Sequence, residues 1–249
     1  MSRAAAALDR ADMDAAASDS AAVFRQSWHV YQKFVTHNWM RHREVYATLR
    51  QLVRERFPGG VSIADFGCGD ASCTLAALRD VPLSRFVAVD RVRALLEAAQ
   101  SQAAGHGYRA ELFEADLAVA AAQPPAAPVD VLLAAYAVHH LTTPDKQRWL
   151  SNVERWVTPR GRLVLIDLLR RPGETRRRYL DRFHAHAANR FGAFAGTERA
   201  IVREHMEACD FPETQAGWSD LCRAAGGTTP RLAYRDPDGF YAVLTCGRA

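Results

Sequence analysis

From position 61 onward the chain alternates short apolar runs with helix-length segments, and few folds accept that rhythm. The runs cover residues 61–66, 85–89, 108–113, 129–135 and 162–168. Helical patterns lie between them. One passes through Leu75 and Leu78, one covers 91–104, and one covers 144–157 with Pro144 in its first turn and Thr143 as its cap. Apolar strands separated by helices belong in a doubly wound, mostly parallel sheet with helices on both faces, so the expected class is α/β. A chain of 249 residues suits one such domain with an added lid.

Three stretches depart from the alternation. Residues 1–20 are alanine-rich and carry Asp9, Asp12, Asp14 and Asp19; they are expected to form a disordered tail, and the acidic residues argue against a signal peptide or mitochondrial presequence. Residues 21–58 form an N-terminal helical segment, with Phe24, Trp28, Tyr31, Phe34 and Val35 at helical spacing and a stop at Pro58-Gly59-Gly60. Residues 170–210 are helical in tendency, basic, and rich in Phe and His, and are read as a helical cap inserted after the fifth strand. Pro159-Arg160-Gly161 reads as a turn into that strand. Phe211-Pro212-Glu213-Thr214 opens a helix to Ala225, and Asp236-Pro237-Asp238-Gly239 joins two terminal strands in a hairpin.

Composition excludes several classes. No apolar stretch approaches the ~20 residues that span a bilayer. The five cysteines, odd in number and without a CxxC pair, fit free thiols in a reducing compartment, and a cytoplasmic location is expected. No set of histidines and carboxylates shows metal-ligand spacing, so the expected metal content is none. A net charge of +4 gives no support for nucleic acid as partner.

The chemistry concentrates in Ile63-Ala64-Asp65-Phe66-Gly67-Cys68-Gly69-Asp70. A strand feeding a glycine turn brings bare backbone against a ligand at the carboxyl edge of a parallel sheet. Asp90 ends the second strand about 20 residues after the glycines, where a carboxylate can accept from both ribose hydroxyls. Asp116, after the third strand, could accept an adenine amino group. Each has a plainer alternative: a helix N-cap for Asp90, a solvated turn for Asp116.

These residues resemble the first motif of class I (Rossmann-like) S-adenosylmethionine-dependent methyltransferases, with Ala71 where a third glycine is usual. The stretch from Val131 to Leu141, with Tyr136, His139 and His140, resembles the fourth-strand region of the family's small-molecule branch. Trp156 to Asp167 resembles its Leu-x-Pro-Gly-Gly turn and fifth strand, with Arg160 replacing the first of those glycines. The similarity covers residues 61–169, and the terminal hairpin fits the family's sixth and seventh strands. It implies a seven-stranded sheet with an antiparallel last strand, a methyltransferase domain over 61–249 containing the 170–210 cap, and S-adenosyl-L-methionine as cofactor. Asp65 would help hold the methionine amino group, Gly67, Cys68 and Gly69 would face the cofactor, and Asp90 with Arg91 would border the ribose. Asp116 and Leu117 would frame the adenine, and Tyr136 would lie where donor and acceptor meet.

The acceptor is less legible. Tyr136, His139 and His140 are the catalytic candidates, with His140 favoured as a wall of the site over a base. Trp28, Tyr31 and His37 from the N-terminal segment and Arg178, Arg182 and His184 from the cap are candidate substrate contacts. Six arginines between Arg170 and Arg182 would suit a carboxylate or phosphate on the acceptor. The expected function is methyl transfer to a small-molecule oxygen or sulfur. The alternatives are an RNA or protein methyltransferase and a non-catalytic adenosylmethionine-binding protein. A nicotinamide oxidoreductase is disfavoured because Ser72 stands where a dinucleotide fingerprint needs its last glycine.

Overall fold

The structure is a computed structural model that describes residues 28–123 and 125–247. The tail expected over 1–20, and the first residues of the N-terminal segment, lie outside them. The sheet is built from β1 (Val61–Phe66), β2 (Leu83–Asp90), β3 (Ala110–Glu114), β4 (Val129–Ala135), β5 (Val157–Arg170), β6 (Glu213–Thr214), β7 (Arg231–Arg235) and β8 (Tyr241–Cys246). Its order is β3-β2-β1-β4-β5-β8-β7, a seven-strand path with the two-residue β6 beside the end of β5. The first five strands run parallel, with Ile63 opposite both Phe86 and Val131. β8 lies antiparallel to β5 and to β7, closing the path with a hairpin. Strand order reverses between β1 and β4, so their carboxyl ends flank the crevice where such sheets bind ligands.

Alternation along each strand feeds two apolar layers. Ile63, Leu133 and Val164 face one layer with Phe86, while Phe66, Leu132 and Leu165 face the other with Trp149, Trp156 and Trp218. The second layer is covered by α5 (Leu117–Ala122), α6 (Thr143–Val153) and α9 (Gln215–Ala224). The first is covered by α2 (His42–Arg56), α3 (Ser72–Ala77) and α4 (Arg93–Gly105). It is also covered by two helices after β5, α7 (Arg176–Arg190) and α8 (Gly196–Cys209), which contribute Tyr179, Phe183 and Met206.

Four local expectations are corrected. The N-terminal segment is broken: helix α1 holds residues 28–36, and the backbone turns through Asn38 and Arg41, both left-handed at φ 55° and 58°, before α2 begins. Thr142, not Thr143, caps α6, its hydroxyl accepting from Asp145 N, while Thr143 Oγ1 donates instead to Glu213 Oε1 at 2.6 Å. Pro159-Arg160-Gly161 is not a turn but part of β5. The register jumps from Val129 opposite Val157 to Val131 opposite Arg162, so a bulge absorbs these residues inside the strand. A Cβ on Gly161 would stand 2.7 Å from the carbonyl oxygen of Asp130, so only glycine lets the strands approach here. Finally, α9 starts at Gln215, since Glu213 and Thr214 pair with β5 first. Among the described residues, no helix is long and apolar enough to cross a membrane.

Candidate active site

The turn after β1 is dictated by space and by backbone conformation together. Gly67 and Gly69 have φ of 74° and 56°, in the left-handed region that glycine enters freely. A Cβ on Gly67 would lie 2.7 Å from Ala137 Cβ, and one on Gly69 would lie 2.9 Å from the Trp28 ring. Ala71, at the position of the third glycine, holds the same left-handed conformation at φ 57° despite its methyl group.

Three carboxylates frame this turn, each placed by a strand end. Asp65 is 2% exposed; Oδ2 accepts from Thr74 Oγ1 at 2.7 Å, and Oδ1 is buried without a hydrogen-bond partner. Burial raises its pKa to about 7, with the Thr74 hydrogen bond opposing and Asp90 adding to the rise. Asp90 accepts from Gly69 N at 3.0 Å and from Val92 N at 2.9 Å, so it fixes the glycine turn as well as the start of α4. Asp116 caps α5, with Oδ1 accepting from Ala118 N at 2.9 Å, and stays exposed. Leu117 follows, its Cδ2 3.8 Å from the Cβ position of Gly67. Cys68, in the turn, has its thiol pKa pushed up by burial and by Asp65. Arg91, exposed, follows Asp90 at the same strand end.

Facing the turn is an aromatic wall from the N-terminal helices. Trp28 stacks on Tyr31 with ring centroids 5.3 Å apart, and the Tyr31 hydroxyl lies 3.2 Å from His42 Nε2. Tyr136, at the end of β4, is left-handed at φ 50°, and its hydroxyl donates to the Met40 carbonyl between α1 and α2. His42 carries no functional expectation from its sequence position. Its Nδ1 is buried without a partner, its ring lies 5.0 Å from that of Tyr136, and burial lowers its pKa to about 4, so the imidazole is neutral at pH 7. The available signal was its spacing with Val45, Tyr46 and Leu49 on the buried face of α2.

His139 and His140 lie in a short 3-10 turn after β4, and the structure separates their environments. His139 is buried and paired through Nδ1 with Asp167 at the end of β5. Burial opposes its charge, but Asp167 and Asp210 outweigh that and raise its pKa. His140 has an exposed ring whose Nδ1 lies 3.3 Å from Asp210 Oδ1.

The cap candidates are dispersed. Arg182 pairs with Glu174 at 2.7 and 2.9 Å and lies 4.0 Å above the Phe240 ring, fastening α7 to the β7–β8 hairpin. Arg176 donates to the carbonyls of Met206, Glu207 and Asp210, satisfying the end of α8. Arg178 is exposed, and His184 points at Glu207 on α8, 3.8 Å away. His37 stacks on Trp39 at 4.6 Å, and Trp39 on Phe191 at 4.8 Å, so the N-terminal helices meet the link between α7 and α8. The Lys33–Glu198 ion pair at 2.7 Å reinforces that meeting. The structure thus gathers Asp65, Gly67, Cys68, Gly69, Asp90, Trp28 and Tyr31 at one strand edge and leaves Arg178, Arg182 and His184 in other surroundings.

Known proteins share this fold and part of this sequence pattern. Residues 63–161 match a sequence model of the "Methyltransferase domain" family. No curated protein matches the sequence. Mitomycin 7-O-methyltransferase MmcR matches the fold at a TM-score of 0.56 and 20% identity, over 78% of this chain and 50% of that one. CalO1, a methyltransferase of calicheamicin biosynthesis in its SAH-bound form, matches at 0.56 and 20%, over 82% and 54%. Human N-acetylserotonin methyltransferase in complex with SAM matches at 0.57 and 13%, over 84% and 51%. The chain spans about half the length of these structures. A doubly wound sheet with a glycine turn and strand-end carboxylates is the architecture of a Rossmann-like nucleotide-binding domain. Within that class, residues 63–161 are similar to the methyltransferase-domain family.

Proposed function

We propose that this chain binds S-adenosylmethionine at the carboxyl ends of β1 and β2 and transfers its methyl group to a small-molecule oxygen or sulfur. The observation that carries the reading is the buried, unpartnered Oδ1 of Asp65 beside a turn that has no room for side chains. An acceptor oxygen left unpaired in the interior is costly, and the methionine ammonium is a group that would satisfy it. Asp90 keeps lone pairs for ribose hydroxyls beyond the backbone bonds it already accepts, with Arg91 at the rim. Asp116 and Leu117 frame the adenine.

When bound, the cofactor supplies a sulfonium methyl group open to in-line displacement. The chain's contribution is alignment and exclusion of water, which can account for much of the acceleration. Trp28 and Tyr31 cover the glycine turn, while Tyr136, its hydroxyl committed to Met40, shapes the wall between donor and acceptor. His139 is committed to Asp167, and His140 faces Asp210, so neither is placed as a free base. The neutral His42 is the better-placed ring to accept a hydrogen bond from an acceptor hydroxyl.

The helices α7 and α8 form the cap of this pocket, and its lining favours an aromatic or apolar acceptor body. An acceptor carboxylate or phosphate would have to meet Arg178, since Arg176 and Arg182 are consumed in fastening the cap. A cytoplasmic location fits free thiols. The test is incubation with methyl-labelled S-adenosylmethionine and a fractionated extract. Label is expected in the low-mass fraction; label in RNA or protein would overturn the acceptor class, and binding without any transfer would overturn catalysis.

A further inference from the structure

Beyond the methyl-transfer pocket, one cluster of ligating side chains has no role there. His139, His140 and Asp210 each offer one ligand atom, and these three atoms all lie within 4.8 Å of one another. We propose that they bind a divalent transition-metal ion of the Zn²⁺ type, clipping the end of the cap to the sheet edge.

The geometry supports this in three ways. First, Asp210 is 3% exposed and its Oδ1 has no hydrogen-bond partner, although it faces three imidazoles. Its distances are 3.3 Å to His140 Nδ1, 3.7 Å to His139 Nε2 and 3.7 Å to His205 Nε2. Ligand atoms about 2.0–2.2 Å from a tetrahedral centre stand about 3.3–3.6 Å apart, so these separations suit an ion better than direct hydrogen bonds. Second, His139 Nδ1 pairs with Asp167, which leaves the Nε2 lone pair turned toward Asp210. A carboxylate behind a ligating histidine is the usual second layer of such sites. Third, the half-exposed His205 ring on α8 stands beside His140, with centroids 5.1 Å apart and Nε2 3.7 Å from Asp210 Oδ1, outside the three-ligand group but on the same side of the carboxylate, so a fourth position is left for water. The alternate partner of His140 Nδ1, the Cys209 carbonyl at 3.4 Å, is a long bond to lose.

Imidazole and carboxylate ligands of this kind suit Zn²⁺ and Co²⁺ over Mg²⁺ or Ca²⁺, which prefer all-oxygen sets. The ligands come from the turn after β4 and from Asp210, which links α8 to β6. A bound ion would therefore fasten the cap without entering the methyl-transfer step.

The test uses the full chain, stripped with a chelator and dialysed against Zn²⁺ or Co²⁺. One equivalent of metal by emission spectrometry is expected, with intense visible Co²⁺ bands diagnostic of four-coordination. His140→Ala alters an exposed ring and Asp210→Asn keeps its shape, so both should fold, as circular dichroism would verify. Each should weaken Zn²⁺ binding at least tenfold, while His106→Ala, an exposed histidine elsewhere, should not. Binding well below one equivalent, or affinity unchanged in both His140→Ala and Asp210→Asn, would overturn the proposal.

Discussion

At the scale of single residues, Asp65 is the point where burial and chemistry conflict. Its carboxyl is held near neutrality, with a pKa of about 7 against 3.8 in an exposed chain. Because the folded value is raised, this group's contribution to stability is fully present below pH 3.8 and is lost as pH rises through 7. Cofactor binding has the opposite need, since an ammonium partner requires the ionised carboxylate. Affinity for S-adenosylmethionine should therefore fall as pH drops below about 7, and calorimetry in buffers of different ionisation heat should show proton release on binding there. Asp65→Asn should bind more weakly above about pH 7 and lose that acid limb; an unchanged limb would exonerate Asp65. Gly67 presents a simpler case. Gly67→Ala puts a methyl group 2.7 Å from Ala137 Cβ at a left-handed φ of 74°, and that conformation alone costs about 1–2 kcal/mol. Cofactor affinity should drop more than tenfold, read by titration calorimetry.

Elements are where reading from sequence succeeded in kind and failed at edges. The five parallel strands and their helices were legible because apolar runs and 3.6-residue spacing are local signals. The bulge at Pro159-Arg160-Gly161 was not, since it depends on the neighbouring carbonyl of Asp130, and neither was β6, whose pairing with Leu169 and Arg170 is tertiary. Glu213 in β6 shows what such contacts can carry. It faces the fully buried Lys146 Nζ at 3.3 Å, the Thr143 hydroxyl at 2.6 Å and Arg170 at 3.5 Å. Glu213→Ala leaves the buried lysine with the Phe211 carbonyl as acceptor but no counter-charge, and breaking a buried pair from one side costs about 3–5 kcal/mol. Urea unfolding should show a loss of that size, whereas Thr142→Ala at the α6 cap should cost about 1 kcal/mol. The clustering of Asp65, Gly67, Gly69 and Asp90 at the β1–β2 edge was legible because each sits at a fixed offset from a strand end; the cofactor role given to them is part of the proposal. His42 and Asp210 were not, since their partners come from distant segments.

For the whole molecule, the N-terminal helices meet α7 and α8 through the Trp39–Phe191 stack and the Lys33–Glu198 ion pair. Arg182 is central to how α7 is anchored, through Glu174, the carbonyls of Asp238 and Gly239, and the Phe240 ring. Arg182→Ala leaves partly buried acceptors unpaired and should destabilise the fold by about 1–3 kcal/mol in thermal or urea unfolding. Cofactor affinity should stay within twofold, because none of these contacts touches the glycine turn; a large loss would mean the cap and the cofactor edge are coupled. The central claim is that the β1–β2 edge holds S-adenosylmethionine, and its most direct measurement is calorimetric titration of the purified chain with that compound, with its demethylated product and with NAD. The expected result is one site per chain for the first two, weakened at least tenfold by Asp90→Ala, and no heat of binding for NAD. Saturable NAD binding without adenosylmethionine binding would contradict it.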